Sequence, residues 1–368
     1  MRYKFILTGL IMICCFACNT SNVFEGVHKF NDQFPQKLYL DPEVLVSDIP
    51  GIVFLSIVDT ILLANIYPDP EILLQAYSLD SLKLLGTIIK KGKGPDEFLH
   101  TSIPLQFIED STGIKAWMFD HNLRCLYLLN ISKTIERQRT IVEKKYNLLK
   151  LGFTDIQVIM NDSLFWGTSW TIDNLELFVY NAKEDQIISR TKLFKPMRGA
   201  NYNNLSAYSH GVMVKPDLSK IVLYMLYLNR LQIISLVNPE DRFSFSTSKR
   251  PGSFEQIIID MNTDEQMLYY RDVRTTDQFI FASYNGFLSK DEDKATKTII
   301  HVFDWDGNPV AWIELPHYTP YFALDEKRGF LYGLANGVLS DDGLSEQDVL
   351  YRYDIKELLN NYKTLVNR

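Results

Sequence analysis

Between Thr298 and Asn336 the chain switches between apolar and polar runs every five or six residues. Ile299–Asp304, Val310–Leu315, Tyr321–Leu324 and Phe330–Leu334 are apolar enough to be strands. Asp306-Gly307, Pro316 and the run from Asp325 to Gly329 break them apart. Asp-Gly tolerates the positive φ of a tight hairpin, so the stretch predicts four strands and three turns.

Degraded copies of this pattern recur along the sequence. Hairpins like the one carrying Asp306-Gly307 are expected at Leu74–Ile89, Leu123–Ile141, Glu176–Leu193 and Arg230–Thr247, with a shorter one at Val349–Leu358. Each is preceded by a strand pair: Ile52–Ile66, Leu105–Phe119, Ile156–Trp170, Gly211–Tyr227, Arg274–Tyr284 and Tyr321–Leu334. The hairpin turns fall near Ser78, Asn130, Asn181, Val237, Asp304 and Asp354, giving spacings of 52, 51, 56, 67 and 50 residues. Four strands every fifty-odd residues is the period of a β-propeller blade. Strands such as Ile299–Phe303 are apolar on both faces, which suits sheets stacked between neighbours better than a half-solvated sandwich. The expected fold is therefore all-β, a six-bladed β-propeller. Inserts at Ser253–Gln266 and Ser289–Lys297 account for the one long spacing.

The last unit lacks a fourth strand, and Gln36–Val46 is an unclaimed one near the N-terminus. That strand is expected to complete the last blade and close the ring, removing an exposed sheet edge. Beyond it, Ile355, Leu358, Leu359, Tyr362 and Leu365 stand at helical spacing, which predicts a short amphipathic C-terminal helix.

At the other end, Arg2 and Lys4 precede an apolar run from Phe5 to Ala17, too short to span a bilayer comfortably and laid out as an export signal. Phe16-Ala17-Cys18 followed by Asn19-Thr20-Ser21-Asn22 resembles a bacterial lipoprotein signal with a relaxed lipobox, Cys15 standing where leucine is usual. The resemblance implies cleavage before Cys18 and lipidation of Cys18, with ordinary secretion after Ala17 as the rival. Asn19 in place of Asp, and no acidic run behind the cysteine, imply an outer-membrane anchor facing the periplasm. The division expected is a signal over 1–17, a tether over 18–34 and the propeller over 35–368.

Composition adds exclusions. The 368 residues are 46% hydrophobic and 13% aromatic, ample for a core and weighted toward strand formers. The formal charge is −7. Loss of Arg2 and Lys4 with the signal leaves 36 basic against 45 acidic residues, or −9. An acidic chain without a dense basic cluster is not expected to bind nucleic acid. Cys14, Cys15 and Cys18 lie at the extreme N-terminus, so no disulfide framework follows, and Cys125 reads as a small buried hydrophobe.

The segment Lys90-Lys-Gly-Lys-Gly-Pro-Asp-Glu-Phe98, echoed weakly by Lys249–Phe254, resembles the linker between blades of NHL-type propellers. It also resembles that of the TolB-like six-bladed propeller lipoproteins of Bacteroidetes, most of which have no assigned activity. The resemblance carries no catalytic residues. Gly92 and Gly94 beside lysines are not a P-loop, because Pro95-Asp96 stands where Lys-Ser/Thr would open a helix. Phe98 is expected to plug the space between blades.

Candidate chemistry is sparse. Asp304–Asn308 mimics half of a calcium loop but lacks the distal glutamate, and a hairpin turn explains it. His28, His100, His121, His210, His301 and His317 never pair at metal-ligand spacing, so neither metal nor cofactor is expected. The most unusual loop runs from Arg198 to His210, with Tyr202, Asn203, Asn204 and Tyr208 between them. These types bind sugars or peptides by stacking and amide hydrogen bonds, and Trp166 and Trp170 could join them. Alternatively the loop is an inter-blade crossover whose aromatics fill the seam. The expected function is non-catalytic binding of a protein or an envelope glycan or peptide. The competing reading is a glycan lyase or hydrolase, recognisable by two titratable side chains, one a His or Tyr, within hydrogen-bond reach in the channel.

Overall fold

The structure is a computed structural model and describes residues 27–45 and 51–360, apart from 68, 95, 101–103, 153, 172–173, 195–201, 250–251, 264 and 336–348. Six sheets follow one another in chain order, each built from four antiparallel strands. The first holds Ile52–Val58, Ile61–Ile66, Ile72–Ser78 and Leu84–Lys91, and the second Gln106–Asp110, Gly113–Asp120, Cys125–Asn130 and Val142–Asn147. The third holds Thr154–Asn161, Leu164–Trp170, Leu175–Asn181 and Gln186–Lys192, and the fourth His210–Val214, Lys220–Met225, Leu231–Ser235 and Arg242–Ser246. The fifth holds Met267–Thr275, Phe279–Leu288, Thr298–Asp304 and Pro309–Leu315; the sixth has Phe322–Asp325, Phe330–Ala335 and Val349–Asp354.

The strands are apolar on both faces because each blade is buried on both faces. In the second blade Ala116 and Met118 pack against the first, while Trp117 and Phe119, one residue out of phase, pack against the third. Among the described residues there are six such apolar clusters, one per seam, and the seam between sixth and first blades closes the ring. There Ile52, Leu55 and Leu62 meet Ala323, Tyr332 and Leu350. The expected plug is in place: Phe98 is fully buried, its ring 4.3 Å from that of Tyr127. The glycines before it are filled by the loop itself, since the Glu97 carboxylate accepts from the Gly94 N–H at 2.8 Å.

The acidic turns that marked the repeat have a common mechanism. A side-chain oxygen at the end of one strand accepts N–H groups of the turn that follows at Asp110, Asn161, Asn181 and Asp304, and Asp217 does the same from within its turn. Both oxygens of Asp304 serve its own turn, taking the N–H groups of Asp306 and Asn308 and the Asn308 amide. Trp305 turns inward and donates to the Thr276 carbonyl at 3.0 Å.

Ring closure is more extensive than expected, and its register differs. The strand that completes the sixth blade is Glu43–Leu45, antiparallel to Val349–Asp354 with Tyr351 opposite Val44. It is the second half of the expected Gln36–Val46; the first half, Gln36–Tyr39, instead adds a parallel strand outside the fifth blade. Val27–Phe30 does the same outside the fourth, so the tether expected over 18–34 gives way to folded chain by Val27. The N-terminal segment is therefore a belt around the rim of three blades. It is pinned by Phe34 against His301 and Phe303 and by Arg352, which donates to the Glu43 carboxylate at 2.6 Å.

Two other elements depart from expectation. The second hairpin of the second blade is interrupted by a helix, Ile131–Arg137, whose N-cap Asn130 accepts from the Lys133 N–H at 2.9 Å. Of the two inserts in the fifth unit, the first forms a helix, Phe254–Thr263, and the second a 3-10 turn, Ser289–Lys294. At the C-terminus a helix begins at Lys356 and buries Ile355, Leu358 and Leu359 against the fifth and sixth blades, as expected. Tyr362 and Leu365 lie outside the described residues, as do the expected signal and Cys18.

Candidate functional site

First strands of all blades run in one direction, so their starts and the ends of the second strands share one mouth of the channel. Two cavities open there between the second, third and fourth blades, and they share His210. The outer one, about 360 Å³, is lined by Trp170, Leu205, Ser206, Ser209 and His210. The inner one, about 230 Å³, runs along the channel wall, with His121, Asp155, Gln157, His210 and Tyr224 as its polar side chains. Its apolar wall includes Leu105, Phe119, Ile156 and Met213.

The loop singled out in the sequence contributes unevenly. His210 and Trp170 do come together, ring centroids 5.5 Å apart. Tyr208 does not join them: it is fully buried, its ring 4.5 Å from Phe254 and 5.8 Å from Phe194. Trp166 is also core, packed in the seam between third and fourth blades. For these two side chains burial leaves no surface for a ligand, and the seam-filling alternative is the correct one. Tyr202, Asn203 and Asn204 open the 3-10 helix Tyr202–Tyr208 that delivers His210 to the mouth, and Arg198 lies outside the described residues.

His210 is locked. Its Nδ1–H donates to the Tyr208 carbonyl at 2.8 Å, and its Nε2 accepts from the Thr168 hydroxyl at 3.1 Å. A carbonyl only accepts, so the partners set the tautomer. Burial lowers the pKa of His210; the Tyr208 carbonyl and Asp155 oppose that shift.

Sequence reading missed the inner cavity's main feature. His121, just past the end of a second strand, sets its Nδ1 2.9 Å from Oδ1 of Asp155, near the start of the next blade's first strand. Arg124 stands 3.8 Å from the same oxygen but donates to the Thr154 hydroxyl at 2.6 Å. The His100 ring stands edge-on to that of His121 at 5.5 Å. Burial and the neighbouring His121 lower the His100 pKa, Asp120 opposing. Two titratable groups, one a histidine, thus meet in the channel, and the criterion set for chemistry is satisfied. Their positions were recoverable from the repeat, since both sit where strand ends meet the mouth.

Tyr224 reaches the cavity from a second strand because Gly211 lies in front of it. A Cβ on Gly211 would sit 2.2 Å from the Tyr224 hydroxyl. Burial, then the charge of Asp272, pushes the Tyr224 pKa up, so its hydroxyl stays protonated. On the neighbouring fifth blade Asp272 and Arg274 form a buried pair at 2.6 Å, Asp272 also accepting from the Phe322 N–H at 3.0 Å. Arg274 donates to the Leu55 carbonyl at 3.4 Å, so the pair ties fifth, sixth and first blades together. Burial raises the pKa of Asp272, and Arg274 holds it back. Among the described residues no three His, Cys, Asp or Glu side chains are placed to hold a metal.

Comparison with known proteins gives the architecture a family. A Bacteroides vulgatus protein of the DUF4221 family shares 12% identity at a TM-score of 0.52, over 90% of this chain and 96% of its own. A protein of Bacteroides fragilis shares 14% at a TM-score of 0.52, over 89% and 98%. At these identities the likeness shows the fold alone. No curated protein matches the sequence. The family described as TolB-like 6-blade propeller-like matches residues 57–327, most of the chain, and to that family the chain belongs.

Proposed function

We propose that this chain is a lipid-anchored protein of the cell envelope that takes up a small, largely uncharged ligand at one mouth of its channel, between second, third and fourth blades. The observation that carries the reading is the outer cavity, with Trp170 on one wall and the locked His210 at its floor. Its volume of about 360 Å³ lies in the range of small-molecule sites. An aromatic face beside serine hydroxyls suits a sugar ring or a short peptide.

Binding is tested by titrating neutral oligosaccharides and di- and tripeptides against the full chain and against Trp170→Ala, following tryptophan fluorescence. A saturable change lost in the variant supports the site. Equal responses from both proteins refute it. The anchor rests on the sequence around Cys18 and is tested separately. Cys18→Ala should abolish incorporation of an acyl label and release the protein from membranes, and unchanged labelling refutes lipidation.

The second reading, an enzyme, is favoured by the His121–Asp155 hydrogen bond on the wall of the inner cavity.

A further inference from the structure

Resting on the channel-mouth reading, we propose that the inner cavity is a hydrolytic centre for uncharged carboxylic esters, with His121 as general base, Asp155 as its positioning residue and water as nucleophile. The geometry separates the two histidines of this cavity. His210 has both ring nitrogens engaged, by Tyr208 and Thr168, and has no lone pair to offer. His121 uses only Nδ1, which donates to Asp155; that bond fixes the tautomer and leaves the Nε2 lone pair for a substrate or water. The imidazole is 36% exposed, so a proton can reach it.

The lining chooses the substrate class. Among the described residues its lining holds no lysine or arginine, and Arg124 behind Asp155 is already taken up by the Gly152 carbonyl and the Thr154 hydroxyl, which favours an uncharged substrate over an anionic one. Among the described residues it holds no serine, threonine or cysteine, so none of them places an alcohol or thiol for covalent catalysis. A base without such a partner activates water. Leu105, Phe119, Ile156 and Met213 make an apolar wall for an acyl chain, and Tyr224 and Gln157 are neutral donors on the same cavity.

The step balances with water as the only co-reactant. Nε2 of His121 takes a proton from water as the water oxygen bonds to the acyl carbon, and the carbonyl π pair moves onto its oxygen, toward the Tyr224 or Gln157 donor. The tetrahedral adduct collapses, the bond to the leaving oxygen breaks, and that oxygen takes the proton back from Nε2. Acid and alcohol leave, and His121 returns neutral.

The test uses the full chain with p-nitrophenyl acetate, and with mono-p-nitrophenyl succinate as the anionic comparison. The acetate should turn over faster than in free imidazole at equal concentration, and the succinate should be the poorer substrate. His121→Gln should lose about 10²-fold in kcat, the usual contribution of a positioned base. Asp155→Asn should lower kcat at unchanged KM, and added imidazole should restore turnover to His121→Ala, which a misfolded variant would not show. His317→Gln, stacked on Tyr351 far from this cavity, reports background hydrolysis by surface imidazole. No turnover above imidazole, or full activity in His121→Gln, overturns the proposal. Fluorescence titration of His121→Gln then tells the two readings apart, because ligand uptake at Trp170 needs no base.

Discussion

Replacing His301 by phenylalanine should remove a defined part of the protein's acid lability. His301 is 4% exposed, stacked on Tyr284 at 4.3 Å and flanked by Phe34 of the belt at 4.7 Å. Burial lowers its pKa from 6.5 to about 3. The folded pKa lies below the unfolded one, so between those values the unfolded chain binds a proton that the folded chain refuses. Stability therefore falls as pH falls through 6.5, and goes on falling to about 3. At pH 5 the gap is 1.5 pH units, about 2 kcal/mol at 1.36 kcal/mol per unit. His301→Phe keeps an aromatic ring in the cage and abolishes the titration. Urea unfolding at pH 7.5 and pH 5.0, followed by fluorescence, should show the variant losing about 2 kcal/mol less than the parent on acidification. His28, His100 and His210 also have lowered pKa values, but they act in both proteins and cancel in the comparison. An equal loss in both proteins would refute the argument.

Asp120 is fully buried, and its carboxylate accepts N–H groups from Leu99, His100, Asn122 and Leu123, at 2.8, 3.3, 2.9 and 2.8 Å. Asp120→Ala should cost about 3 kcal/mol by denaturant titration, since it strips acceptors from a linker and a turn at once. Removing residues 1–45 deletes the three belt strands and with them the packing of Phe34, Leu38, Leu40 and Leu45 on the seams, each half-buried and worth about 1 kcal/mol. The melting temperature should drop by about 6 °C on the usual scaling, and a shift within error would mean that the six seams hold the ring unaided.

The blades were legible in the sequence because their turns are built from local chemistry. An Asp or Asn that caps its own turn must lie within a few residues of it, as Asp110, Asp217 and Asp304 do. The belt was read only in part because Val27–Phe30 is only four residues long and the expected strand Gln36–Val46 breaks into Gln36–Tyr39 and Glu43–Leu45, which pair with different blades. Pairing with a remote edge, rather than their own pattern, makes them strands. Ile131–Arg137 was hidden for a related reason: its apolar residues read equally well as strand, and Asn130 capping decides between them. Loop composition suggested Tyr208 and Trp166 for a ligand, but composition does not report which side of a seam a ring occupies. His121 and Asp155 are 34 residues apart and meet only because consecutive blades share a mouth.

The belt also sets where an anchor could pull. Val27 joins the fourth blade as its outermost strand, four strand spacings from the innermost one that begins at His210. At 4.8 Å per spacing that is about 19 Å of sheet between the point of entry and the pore wall. Val27 is nine steps along the chain from Cys18, a reach of at most about 30 Å. A lipid on Cys18 would hold the wheel by its perimeter, near the bilayer yet with the hub uncovered, and solutes could arrive while the molecule stayed moored.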